Sequence, residues 1–142
     1  MAILKRLAVL FAVLCWPLSA IAADAACYRA AAQQFALDER LLYAIAGVES
    51  AHNALALNIN ANQTADIGLM QINSVHLAEL AGYGISISDL FDPCTNLMVG
   101  AFLLKRHQLT TGDIWQAVRH YHSRTPALGA KYLQRVQRQL AQ

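Results

Sequence analysis

This 142-residue chain is short of charge, with only 14% Asp, Glu, Lys and Arg against 56% hydrophobic residues. It has no lasting excess of either sign. Of its 11 basic residues, Lys5 and Arg6 fall in the first 22 positions, where none of the 9 acidic residues lies, and the remainder balances to zero. A neutral chain has no basic field to draw in nucleic acid and no polybasic patch for an anionic membrane. It has no HExxH and no paired-cysteine spacing, and His52, His76, His107, His120 and His122 are scattered, so a metal site is not expected. No internal repeat, linker or second domain is visible, and the length suits one domain with one modest core.

The only long apolar run is at the start. Lys5 and Arg6 precede Leu7 to Trp16, Pro17 breaks the run, and Ala20-Ile21-Ala22 offers a small-x-small cleavage site. The apolar stretch is shorter than the roughly 20 residues a spanning helix needs. Residues 1–22 therefore read as a secretory signal peptide and 23–142 as the mature domain, with no stable membrane anchor after cleavage. Cys15 lies within that segment between the bulky Leu14 and Trp16, which does not suit a lipid attachment site. The other cysteines, Cys27 and Cys94, allow one intramolecular pairing, which export favours over two separate thiols.

Helical periodicity dominates the rest. Tyr28, Ala32 and Phe35 mark a first helix ending near Leu37, and Asp38 is placed to cap a second that reaches Glu49 in its last turn. Gly47, inside that helix, suggests the close approach of another group. Ala54 to Thr64, crowded with Asn58, Asn60, Asn62 and Gln63, reads as a loop or short irregular hairpin. A helix over Ser74 to Ala81 with Val75, Leu77 and Leu80 turned inward ends at Gly82 and Gly84. Asp92-Pro93 then starts a helix to about Gln108, apolar around much of its girth and so the expected central helix. A short helix through Ile114, Ala117, Val118 and Tyr121 follows Thr111-Gly112-Asp113. A last amphipathic helix runs from Leu128 to Leu140, with Lys131, Arg135 and Arg138 on its solvated side.

Three places on this frame carry chemistry. Leu42, Ile45 and Glu49 share one helix face, so a carboxylate sits at the edge of an apolar stripe. Burial there favours the protonated acid, which is what a general acid at neutral pH requires. Ser50 beside it is placed to hydrogen-bond the carboxyl. Gly68-Leu69-Met70-Gln71 offers a backbone that can come close to a bound chain at Gly68, a deformable apolar wall at Met70 and an amide donor and acceptor at Gln71. Tyr121, between His120 and His122, offers a phenol to align the carboxyl. Asp66, just before Gly68, is the candidate second carboxylate of a hydrolytic site, or else a turn residue capping local backbone.

Taken together, the Glu49-Ser50 pair, the GLMQIN segment from Gly68 to Asn73, DPCTNLMVGAFLL from Asp92 to Leu104 and the later Tyr121 resemble the lytic transglycosylase family. The likeness spans about Cys27 to Leu140, and is greatest to small exported members that accompany conjugation and type III or type IV secretion machines. It implies a mainly α, lysozyme-like domain of the goose-type, soluble lytic transglycosylase kind with a small irregular hairpin. It implies that Glu49 is the sole catalytic acid/base, that Ser50, Gly68, Met70, Gln71 and Tyr121 surround or support the sugar cleft, that Cys27 pairs with Cys94, and that no cofactor is used. The substrate implied is the glycan strand of peptidoglycan in the periplasm of a Gram-negative bacterium, cleaved at the MurNAc-β-1,4-GlcNAc bond to a 1,6-anhydro product. Parts of a secretion or pilus machine are the implied partners. A muramidase using Glu49 with Asp66, or a non-catalytic glycan-binding assembly module, are the competing functions. Many relatives have Ala-Tyr-Asn where this chain has His120-Tyr121-His122.

Overall fold

A computed structural model describes residues 23 and 25–142. The expected signal segment, residues 1–22, lies outside them. Six helices run in order: α1 (Ala25–Phe35), α2 (Glu39–Ser50), α3 (Leu77–Ala81), α4 (Pro93–Thr111), α5 (Ile114–His122) and α6 (Pro126–Leu140). Between α2 and α3 lies a small antiparallel sheet of β1 (Leu57–Ile59), β2 (Ala65–Ile67) and β3 (Ile72–Asn73), in that spatial order. The architecture is the mainly helical one expected, with the irregular hairpin resolved into three short strands. No helix among the described residues is long and apolar enough to cross a membrane.

The helix starts follow from local chemistry. Asp38, Asp92 and Asp113 each stand just before a helix in extended backbone, and each side chain accepts a hydrogen bond from a first-turn N–H, of Arg40, Thr95 and Gln116 respectively. Such caps are worth roughly 1 kcal/mol each. Pro93 and Pro126 occupy the first turn, where the N–H that proline lacks has no helical partner. Helix α2 stops because Ala51 turns left-handed, with its N–H bonded back to Gly47 and that of His52 to Ala46.

Helix α4 is the hub. Leu97, Val99, Ala101, Leu103 and Leu104 are all buried on it, and it packs against α1 on one side and α5 on another, while α6 joins α5 to α2. One mutual core takes in Leu42 and Ile45 of α2, Ile67 and Ile72 of the sheet, and Val136 of α6. Cys27 of α1 and Cys94 of α4 are joined in a disulfide, with their Cα atoms 5.3 Å apart in space and 67 positions apart in sequence. Closing a loop of that length stabilises the fold by up to about 4 kcal/mol in the chain-entropy account. One expectation fails here: Val75 is 65% exposed, because the chain after β3 first takes a tight 3-10 turn, Ser74–His76, that turns this side chain outward.

The sheet register decides what faces solvent. Asn58 pairs with Asp66, and Asp66 with Asn73, so these three polar side chains share one face. Ile67 and Ile72, also paired, are buried on the other. A slip of one residue between β2 and β3 would exchange the two faces, so burial of the isoleucines fixes Asp66 and Asn73 in place.

Candidate active site

The polar face of the sheet, the end of α2 and the α5–α6 corner enclose a cleft of about 520 Å3. Glu49 lies in it, carried there because Leu42 and Ile45 on the same face of α2 are fully buried. Its carboxyl accepts a hydrogen bond from the Tyr132 hydroxyl at 2.5 Å. Burial pushes the Glu49 pKa up to about 7, and the charge of Asp66 adds to the rise. The Tyr132 hydrogen bond and the nearby Arg135 guanidinium pull the other way. Desolvation wins because it acts on the whole carboxylate, whereas one phenol satisfies only part of its demand for donors.

Tyr132 was not singled out from the sequence. It is one aromatic among the apolar positions of an amphipathic helix, and its 83-residue separation from Glu49 leaves no local pattern. Its hydroxyl pKa is driven well above the ordinary value by burial and then by the Glu49 charge, so it stays a donor. The ring of His122 lies parallel on that of Tyr132, with centroids 4.8 Å apart.

Tyr121, expected to hold the carboxyl, lines the cleft but donates to the Met70 carbonyl at 2.9 Å. It is a brace for the Gly68–Gln71 turn, and the phenol on Glu49 is Tyr132. Ser50 does not reach the Glu49 carboxyl either. Its hydroxyl donates to the Leu69 carbonyl at 2.7 Å, with the Ala46 carbonyl a weaker alternative at 3.3 Å. The turn therefore hangs from α2 through Ser50 and from α5 through Tyr121.

A third tether comes from α4. Asn96 is fully buried; its amide donates to the carbonyls of Ile67 and Leu90, and its oxygen accepts from the Met70 N–H. This explains Gly68 differently from a close approach to a bound chain. Its φ is +75°, and a Cβ there would lie 2.3 Å from the Asn96 amide nitrogen and 2.4 Å from the Leu90 carbonyl oxygen. Met70 is likewise no wall of the cleft: its side chain is fully buried against Gly100 of α4. Gln71 does line the cleft, at a positive φ of 51°, with its oxygen accepting from Asn58 at 2.6 Å and its nitrogen donating to the Gly68 carbonyl at 3.0 Å. Gly47, as its position suggested, is crowded: a Cβ there would meet the His52 ring at 3.1 Å and the Gln139 side chain at 3.3 Å.

Asp66 lies in the same cleft, on β2 and not in a turn. Asn73 donates to one of its oxygens at 2.7 Å and Asn60 to the other at 2.9 Å. The asparagines that marked a loop in the sequence are thus cleft residues, and Asn58, Asn60 and Asn62 all line it. Arg135 is exposed, as expected for the solvated side of α6, and lines the cleft as well, donating to the Val48 carbonyl at 3.1 Å. No group of three or more His, Cys, Asp or Glu able to hold a metal occurs among the described residues.

A half-buried acid of raised pKa, one phenol on it and a polar groove rich in amides make a site for protonating an oxygen in a hydroxyl- and amide-bearing chain. Comparison with known proteins accords with this. The Transglycosylase SLT domain family matches residues 26–141. The chain belongs to that family. It is 40% identical over 116 residues to Invasion protein IagB of Salmonella typhimurium, covering 81% of this chain and 72% of that protein. It is 36% identical over 100 residues to Protein IpgF of Shigella flexneri, covering 70% and 66%. An X polypeptide of Escherichia coli is 36% identical over 107 residues, covering 75% and 63%. The SLT chain is a lytic transglycosylase of lysozyme-like fold.

Proposed function

We propose that this protein cleaves the MurNAc-β-1,4-GlcNAc bond of peptidoglycan with formation of a 1,6-anhydro ring, and that Glu49 is the single acid and base of both steps. The observation that supports this most is the unequal state of the two carboxylates in the cleft. Glu49 has a pKa of about 7, while both oxygens of Asp66 are taken by asparagine amides. Asp66 is thereby tied into the sheet's amides at both oxygens, which favours a structural role for it over that of a nucleophile or of a base for water. A site with one working carboxylate suits chemistry in which the substrate supplies the nucleophiles.

In the first step the Glu49 proton passes to the glycosidic oxygen as the bond from the anomeric carbon breaks. The carbonyl oxygen of the muramic 2-acetamido group closes on that carbon and takes up the positive charge. In the second step the Glu49 carboxylate removes the proton of the muramic 6-hydroxyl. That oxygen displaces the acetamido oxygen from the anomeric carbon, and the acid is regenerated. No water is consumed. With a pKa of about 7, both the acid and the carboxylate are within reach at neutral pH, which suits a group that must give a proton and take one back. Tyr132 keeps the carboxyl oriented through both states.

The products decide between this reading and a muramidase. Mass spectrometry of digested sacculi is expected to show disaccharide peptides lighter by one water than reducing-end products. Reducing ends throughout would replace the proposal with hydrolysis through Asp66.

Tyr132→Phe is expected to lower kcat about tenfold or more. It should also move the fall in activity at alkaline pH upward from its ordinary place near pH 7. The lost hydrogen bond favours the carboxylate, so without it Glu49 keeps its proton to higher pH. A pH–rate profile checks this, and an unmoved limb would remove Tyr132 from the acid's control.

We further infer that the enzyme is exported to the periplasm and opens the wall locally for a secretion, pilus or conjugation apparatus. The apolar run before residue 23 and the similarity to a relative named an invasion protein support that reading.

A further inference from the structure

The α5–α6 corner of the cleft holds two groups that the reaction above does not use. His122 ends α5 and lies flat on Tyr132, yet neither ring nitrogen has a hydrogen-bond partner among the described residues. Arg135, one turn beyond Tyr132, gives one N–H to the Val48 carbonyl and is in no ion pair among them. Both line the cleft. Arg135 depresses protonation of His122, after the larger effect of burial, so the two are close enough to repel when both are charged. The nearest opposite charges do not bridge them: Glu49 is bonded to Tyr132, and Asp66 is held by Asn60 and Asn73. A guanidinium and an imidazole lining one corner of the cleft, the imidazole on the ring of Tyr132 and the guanidinium a turn further along α6, with N–H groups that no carboxylate accepts from, are poised to share one.

We propose that His122 and Arg135 form a subsite for a carboxylate carried by the muramic 3-O-substituent of the glycan, either a free lactyl acid or an acid of an attached peptide. The inference rests on the glycan reading of this cleft. It turns the His122 departure from the Asn of many relatives into a specificity device. A bound carboxylate would relieve the repulsion between the two cations and favour the imidazolium. The neutral amides of Asn58, Asn60 and Asn62 would serve sugar hydroxyls and acetamido groups irrespective of that charge.

The test uses the Glu49→Gln protein, which cannot turn over its ligand and carries no titrating acid at that position. Calorimetric titrations compare neutral chitotetraose, a GlcNAc–MurNAc tetrasaccharide with free lactyl acids, and the same tetrasaccharide bearing peptides. At pH 6 and low salt, an acidic ligand is expected to bind about tenfold tighter than chitotetraose. Whichever acidic ligand binds more tightly identifies the source of the carboxylate. Adding His122→Asn or Arg135→Gln should erase the preference, weakening the acidic ligands about tenfold more than chitotetraose, whereas Arg135→Lys should keep part of it. The preference should weaken from pH 6 to pH 8 and lose most of that dependence in His122→Asn. That variant isolates His122 from the other titratable and charged groups on the cleft: Asp66 of β2, His76, His107 of α4, Tyr121, and Tyr132 and Arg135 of α6. Equal affinity for neutral and acidic ligands, or a loss in Arg135→Gln that is the same for both, overturns the subsite while leaving the glycan reading intact. Failure to bind any of the three ligands overturns the glycan reading itself.

Discussion

Replacing Glu49 by Gln is expected to slow release of anhydro-sugars by about 10³-fold or more and, at the same time, to make the protein more stable above pH 7. The rate loss follows from asking one group to protonate the leaving oxygen and then deprotonate the attacking hydroxyl, since general acid–base catalysis alone is worth about 10²–10⁴-fold. The gain in stability has the same origin. In the unfolded chain the carboxyl has its ordinary pKa, and in the fold burial lifts it to about 7. The folded state therefore holds the proton more tightly. Its advantage is complete below the unfolded value and is lost as pH rises through the folded one. By pH 8 a wild-type molecule must strip a proton from a buried acid to stay folded, at a cost of about 3 kcal/mol. Gln is uncharged at every pH, fills the same space and can still accept from Tyr132, so it escapes that cost. Urea unfolding at pH 5 and pH 8 measures it. The variant should lead wild type by under about 1 kcal/mol at pH 5 and by about 2–3 kcal/mol at pH 8. A lead that does not change with pH would show that Glu49 is not the strained acid described here.

Such a trade of stability for function is common where a polar group is placed against an apolar stripe. Here it could be read from the sequence, because Leu42, Ile45 and Glu49 fall on one helix face. The same logic located α4 as the central helix and found the starts of α2 and α4 at Asp38 and Asp92. Helices that bury one face announce themselves by period, and their caps by composition. The rest of the site was not legible in that way. Tyr132 and Glu49 meet only because α6 packs on α2, which no local pattern encodes. Ser50, Gly68, Met70 and Tyr121 stand out in the sequence, but what each side chain or backbone touches does not follow from its sequence neighbours. Ser50 neighbours Glu49 yet reaches Leu69, and Tyr121 reaches the Met70 backbone instead of the carboxyl. Asn58, Asn60 and Asn62 looked like loop composition because asparagine serves turns and ligand sites with the same amide. Only the fold of the sheet brings them beside Glu49: Asn58 pairs with Asp66 across β1 and β2, Asn60 bonds the Asp66 carboxyl, and Asn62 lies on the loop between the two strands.

Asn96→Ala is expected to be the most damaging substitution outside the cleft, lowering stability by about 3–5 kcal/mol. Asn96 stands on the buried side of α4 in its first turn, where the period of the helix would place a leucine. Its side chain closes three hydrogen bonds at 2.7–2.8 Å, to the Met70 N–H and to the carbonyls of Ile67 and Leu90. Alanine would leave those backbone groups buried and unpaired, each at about 1–3 kcal/mol less whatever water or a shift in the turn recovers. Leucine would fare no better, since it supplies neither donor nor acceptor. Asp would retain the acceptor for Met70 but aim a carboxylate at two carbonyls. Domains of this size have about 5–15 kcal/mol in all, so the variant should remain folded only at low temperature. There the effect on catalysis becomes readable. Gln71 and the Met70 carbonyl that Tyr121 grips both lie on the segment Asn96 holds, so loosening it should raise KM for glycan strands more than it lowers kcat, with Glu49 still on Tyr132. Denaturant unfolding and kinetics at 10 °C on the same preparation test both halves. A loss of stability under about 1 kcal/mol would mean that the turn is held by Ser50 and Tyr121 without help from α4.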